Sequence, residues 1–252
     1  MVAVSGGKDS QSLLHLLREL RRRAPFDFSL IAVNVNQMQP GFPEKLLPDY
    51  FAEENYDFRI VDDDTYSVVR EKMAPGETFC SLCSRLRRGI LYTVAAELKA
   101  TKIALGHHRE DFIETLLLNA LYSGQLKAMP AKLRSDDGRN VVIRPMVYCA
   151  EADIARYARE KQFPLIPCSL CGSQPDLKRA RVKRLIRDLS IENPHVPGNL
   201  LAALANVRPT QLLDNGLMTP AGSANSDIGE PTDSDHVDLV QLLPRASTPE
   251  VS

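Results

Sequence analysis

The stretch that most restricts the fold is Ser5-Gly6-Gly7-Lys8-Asp9-Ser10, which follows the apolar run Met1-Val2-Ala3-Val4 and opens an amphipathic segment. Two adjacent glycines permit backbone angles that other residues resist, and they let an anion come close to the main chain. A helix starting at this point offers unpaired N–H groups and the positive end of its dipole. Lys8 adds a charge, and Ser5 and Ser10 add hydroxyls. The six residues therefore read as a pyrophosphate-binding loop between a strand and a helix. The nucleotide P-loop G-x-x-x-x-G-K-[ST] has a spacer between its first glycine and its Gly-Lys pair, and this chain lacks that spacer. The loop is a different phosphate cradle. A plain glycine turn would need one glycine and a capping serine, less than what stands here.

Apolar, β-branched runs at 30–35, 58–61, 102–106 and 141–143 predict short strands, and helical patterns at 12–23, 46–54, 85–99, 111–122 and 152–161 lie between most of them. This alternation predicts an α/β fold, a Rossmann-like doubly wound parallel sheet with its ligands at the carboxyl ends of the strands. The domain is expected to span 1–214. From 215 to 252 the chain is rich in Ser, Thr, Pro, Asp and Gly, which predicts a disordered acidic and polar tail. Met1 stands so close to the loop that the first strand is short for a central one, which leads us to expect preceding sequence in the native gene product.

Five cysteines stand in a chain of 252 residues. No stretch approaches the roughly 18 consecutive apolar residues of a membrane span, and the start lacks the regions of a signal peptide, so a cytoplasmic protein is expected. In that compartment cysteines serve as metal ligands or catalytic thiols more often than as disulfides. Cys80-Ser81-Leu82-Cys83 and Cys168-Ser169-Leu170-Cys171 form two C-x-x-C pairs about 85 residues apart. Zinc-ribbon pairs are only about 15–20 residues apart, so the fold itself would have to join these two. Thiolates suit zinc and iron–sulfur centres alike, and spacing does not choose between them. Cys149 reads as a packed core residue.

Formal net charge is −1, yet Arg85, Arg87 and Arg88 follow the first cysteine pair and six Lys or Arg crowd 178–187 after the second. If the cysteines converge, so do the cations, and phosphate neutralisation then favours a nucleic acid. His107 and His108, at a strand end, are candidate general bases or hydrogen-bonded supports. Asp111 is a candidate for holding Mg²⁺ or for a helix N-terminal acid.

The loop has all six residues of the PP-loop ATP pyrophosphatase signature. The segments Cys80–Gly89, Gly106-His107-His108-Arg109-Glu110-Asp111 and Pro167–Gln174 resemble those of the tRNA 2-thiocytidine synthetase family, from residue 1 to about residue 214. The resemblance implies an enzyme that binds ATP·Mg²⁺ on Ser5, Gly6, Gly7, Lys8, Asp9 and Ser10. It would adenylate O2 of cytidine 32 in the tRNA anticodon loop and replace that oxygen by sulfur. The resemblance further implies catalytic roles for Lys8 and Asp111, and a [4Fe-4S] cluster held by Cys80, Cys83 and Cys171, the last preferred over Cys168. A cysteine desulfurase as sulfur source and a homodimer are implied too, with no membrane partner. Glu110-Asp111 stands where the family usually has Asp-Asp. A uridine thiolase with the same cradle, or a zinc-stabilised RNA-binding protein with a vestigial loop, are the alternative readings.

Overall fold

The computed structural model describes residues 1–72, 79–135, 138–166 and 177–214, leaving out the side chains of 72 and 79–81. Strand β1 (Val2–Ala3) runs through the loop into α1 (Lys8–Arg21), followed by β2 (Ala32–Asn36), α2 (Leu46–Glu53), β3 (Phe58–Asp62) and α3 (Thr65–Lys72). The second half holds α4 (Phe79–Glu97), β4 (Ile103–Ala104), α5 (Arg109–Ser123), β5 (Lys132–Arg134), β6 (Val141–Ile143), α6 (Glu151–Glu160), α7 (Leu177–Glu192) and α8 (Val196–Ala203). The strands form one sheet in the order β3-β2-β1-β4-β6-β5. All neighbours are parallel except the edge strand β5, which is antiparallel to β6.

Strand order first grows from β1 through β2 to β3 and then restarts on the other side at β4. The carboxyl ends of β1 and β4 thus flank the switch point where open α/β sheets bind ligands. The short β1 is held from both sides: Val2 donates to Ile31 O and Val4 to Val33 O, each at 2.8 Å, while Ala104 donates to Met1 O at 2.9 Å. Both faces are covered. Leu13 and Leu14 of α1, Leu47 and Phe51 of α2 and Ile154 of α6 pack with Val2 and Val4 on one face. Leu91, Val94 and Ala95 of α4 pack with Val33, Ile103 and Val142 on the other. Burial of each such aliphatic side chain contributes about 1.5–3 kcal/mol. A third cluster ties α5 to α7 through Ile113, Val182 and Ile186.

The doubly wound sheet is as expected, with differences at its elements. α1 begins at Lys8, inside the motif, and α4 begins at Phe79, so the first cysteine pair is helical. β5, an exposed Lys-Leu-Arg of three residues, and α7, in which only Val182 and Ile186 are buried, are additions to the expected elements. One compact unit spans Met1–Asn206; beyond it, Pro209–Gln211 forms a 3₁₀ turn. The tail expected at 215–252 lies outside the described residues.

Candidate active site

The loop is built by hydrogen bonds and by the absence of two side chains. Gly6 has φ +85°, in the left-handed region, and a Cβ there would stand 2.5 Å from Cδ1 of Ile166. Ile166 in turn donates its N–H to Gly6 O at 3.0 Å. Gly7 is extended and caps α1, which leaves the first-turn N–H groups without intrahelical acceptors. The Ser10 hydroxyl donates to Gly7 O at 3.0 Å and accepts the Ser5 N–H at 3.1 Å, with the Ser5 hydroxyl 3.2 Å away. Ser10 thereby folds the loop onto itself. From β4, Gly106 comes so close that a Cβ would meet Ser10 N at 2.9 Å. Two buried amides fix the surroundings: Asn34 Nδ2 donates to Val4 O at 2.7 Å, and Gln11 Nε2 donates to Pro164 O at 2.5 Å.

Lys8 Nζ lies 2.7 Å from Asp9 Oδ1 and 3.3 Å from Glu151 Oε1. Burial would lower its pKa, but Asp9 and Glu151 more than offset this and raise it. The other oxygen of Glu151 accepts from Lys183 Nζ at 2.7 Å. Burial favours the neutral Glu151, yet Lys183, Lys8 and His108 together depress its pKa. His108 is 7% exposed and sits among three carboxylates, 3.8 Å from Asp9, 3.3 Å from Glu110 and 3.5 Å from Asp111. Against the burial that lowers it, these acids raise its pKa. Glu110 is pulled down to about 2: burial opposes ionisation, but His108, Arg109 and the Glu151 N–H hold the carboxylate.

Asp111 shares the His108 Nε2 with Asp9 of the loop, at 3.5 Å against 3.8 Å. Its Oδ2 accepts the His108 N–H at 2.9 Å, as a helix-capping acid does, and its Oδ1 accepts from Arg179 Nη2 at 3.0 Å. Arg179 also donates to Glu114 Oε2 at 2.7 Å, and Glu114 is only 5% exposed. His107 accepts from Arg144 Nε at 3.2 Å through Nδ1. Burial first, then Arg144 and Arg179, drive its pKa down to about 4. The acids around His108 thus favour its protonated form, whereas burial and the guanidinium groups favour the neutral form of His107.

Cys80 and Cys83 stand three apart in the first turns of α4. Cys83 Sγ donates to Gln37 Oε1 at 2.7 Å, and Gln37 follows directly on β2, so this thiol is near the same end of the sheet as the loop. Cys149 is half-buried and packs against the core; burial and Asp153 push its thiol up, as suits a structural residue. Cys168 and Cys171, and with them the convergence of the two pairs, lie outside the described residues. Among the described residues no three His, Cys, Asp or Glu side chains form a metal-binding group, and no helix is long and apolar enough to cross a membrane. On α7, Lys178, Arg181, Arg184 and Arg187 are exposed, whereas Arg179 and Lys183 reach acids beside the loop.

Sequence reasoning did not single out Gln11, Asn34, Gln37, Glu114 or Glu151. Asn34 had a readable signal, since an amide alternating with valines in a strand buried throughout marks the ligand end of the sheet.

Comparison with known proteins agrees with this geometry. Residues 1–187 match the PP-loop domain family. A tRNA-cytidine(32) 2-sulfurtransferase of Anaeromyxobacter sp. (strain K) is 56% identical over 250 residues, covering 94% of this chain and 86% of the relative. One of Anaeromyxobacter dehalogenans (strain 2CP-1 / ATCC BAA-258) is 61% identical over 217 residues, covering 86% and 75%. In fold, the chain is similar to the U34-tRNA thiolase NcsA from Methanococcus maripaludis, solved with its [4Fe-4S] cluster, at a TM-score of 0.62 and 21% identity over 82% of this chain and 72% of that one.

Proposed function

The chain belongs to the tRNA-cytidine(32) 2-sulfurtransferase family of PP-loop proteins, and we propose that it converts cytidine 32 of the tRNA anticodon loop to 2-thiocytidine, releasing AMP and pyrophosphate. The observation that carries this reading is an anion cradle at the switch point of the sheet, with a paired-cysteine helix approaching the same sheet end through Cys83 and Gln37.

ATP binds with its phosphates against Ser5, Gly6, Gly7, Lys8, Asp9 and Ser10. Cytosine O2 attacks the α phosphorus, the bond to the bridging oxygen of the β phosphate breaks, and pyrophosphate departs. The free N–H groups of α1 and the Lys8 ammonium stabilise the charge that develops on it. O2 is now part of a phosphate ester and can leave. A sulfide equivalent adds at C2 and expels AMP. Asp111, a hard oxygen donor that shares the His108 Nε2 with Asp9 of the loop, would hold Mg²⁺ on the phosphates. Cys80 and Cys83, soft thiolate donors at the start of α4, would hold two corners of a [4Fe-4S] cluster, with Cys171 as third ligand. When bound, such a cluster supplies an iron without a protein ligand, where sulfide can be carried. The exposed cations of α7 meet tRNA phosphates. A cytoplasmic homodimer supplied with sulfur by a cysteine desulfurase completes the proposal.

The test is anaerobic incubation of the reconstituted protein with ATP and unmodified tRNA, followed by mass spectrometry of the nucleosides. 2-Thiocytidine should form, and Lys8→Ala or Cys83→Ala should abolish it. Thiolation that persists in both variants, or colourless protein carrying stoichiometric zinc, would overturn the reading.

A further inference from the structure

One carboxylate serves two lysines with different tasks. Glu151 stands at the start of α6, and its Oε1 is 3.3 Å from Nζ of Lys8 while its Oε2 accepts from Nζ of Lys183 at 2.7 Å. Its backbone is fixed as well, since Glu110 Oε2 accepts the Glu151 N–H at 2.8 Å and Glu110 is itself tied to Arg109. The carboxylate therefore cannot follow one lysine without loosening its hold on the other. Both Lys8 and Glu151 are little exposed, at 28% and 27% of their side-chain surface, whereas Lys183 is 58% exposed on the cationic face of α7.

We propose that Glu151 is a positioning residue that links nucleotide occupancy of the loop to RNA occupancy of α7. This rests on the reading that ATP binds at Lys8 and tRNA at α7. An RNA phosphate that draws Lys183 away leaves Glu151 to Lys8, where it and Asp9 compete with the nucleotide for the ammonium. A triphosphate that draws Lys8 away leaves Glu151 to Lys183 and weakens the helix's claim on RNA. The two ligands oppose each other through the shared carboxylate, and by linkage the factor is the same in both directions. Seating of the RNA would thus slacken the hold of Lys8 as pyrophosphate leaves.

The experiment measures, on the full chain with its cluster reconstituted anaerobically, the dissociation constant of an ATP analogue with a methylene bridge between the α and β phosphates. It is measured with and without a saturating unmodified anticodon stem-loop RNA. In the wild type the RNA should weaken analogue binding by about fivefold, at the low end of site-to-site linkage. In Glu151→Gln the factor should fall below about twofold, and analogue binding without RNA should tighten. Lys183→Gln, an exposed change, should lower the factor likewise while weakening analogue binding without RNA, because Glu151 is left to Lys8, and the double variant should lower the factor no further. An unchanged factor in either variant that still binds both ligands would overturn the link alone. Failure of the wild type to bind the analogue or the RNA would overturn the underlying reading and the link with it.

Discussion

Gly6 shows how much a single missing side chain can decide. Its φ of +85° is strained for any L side chain, and the position of a Cβ is already taken by Ile166. Gly6→Ala should lower stability by about 1–3 kcal/mol and weaken ATP binding more than the loss of stability accounts for, read by thermal unfolding beside nucleotide titration. His107 makes a second prediction at this scale. Its folded pKa of about 4 lies below the ordinary 6.5, so between those values the unfolded chain holds a proton that the folded protein refuses. Stability should fall as pH drops from 6.5 toward 4. His108 does not oppose this, because a group raised by folding contributes fully below its ordinary value. Glu110 adds its own loss only between 4.5 and about 2. Unfolding midpoints followed against pH should fall less steeply between pH 6.5 and 4.5 in His107→Gln, the remainder coming from His15, which burial also lowers, and an unchanged slope would refute the assignment. Lys8 and Ser10 were legible as loop residues because their chemistry is local. The carboxylate that meets Lys8 was not, since nothing in the sequence announces that positions 8 and 151 meet.

At the scale of elements, α7 does two jobs with one set of cations. Arg179 satisfies the buried carboxylate of Glu114 and also Asp111, so this residue, which reads in the sequence as one more partner for phosphate, braces α5. Arg179→Gln strands a charged group 5% exposed and should cost roughly 2 kcal/mol in denaturant unfolding. Adding Glu114→Gln should restore part of that, because a neutral amide is cheaper to leave buried. No recovery in the double variant would count against the ion pair as the cause. The amphipathic period of α6 is legible in the sequence, and α7 carries one too in Val182, Leu185, Ile186 and Leu189, though only Val182 and Ile186 are buried and the cations between them draw the eye to phosphate instead. The first cysteine pair stands ahead of the helix expected at 85–99, yet Phe79, Leu82, Cys83 and Leu86 carry the same helical spacing into the first turns of α4.

At the scale of the whole molecule, the doubly wound sheet was legible because the parallel strands and most helices carry their own apolar runs and periods. The closeness of the loop, the thiol of Cys83 and α7 was not, being a product of strand order. If Arg181 and Arg184 meet RNA phosphates, replacing both by Gln should weaken tRNA binding and make the slope of log affinity against log salt shallower by about 0.7 for each phosphate that is no longer neutralised. Unfolding midpoints should hardly move, since both are exposed. A slope identical to the wild type would exclude this face. The start of α1 at Lys8, rather than beyond the motif, has a consequence of its own. Three of the six cradle residues are already wound into the helix, and that helix is locked into the core by Leu13 and Leu14. The conformational entropy of shaping the cradle is thus lost when the chain folds, not when nucleotide arrives. ATP meets a finished mould, and a cavity cut beneath α1 would be felt as blunted nucleotide affinity a full turn away from any phosphate.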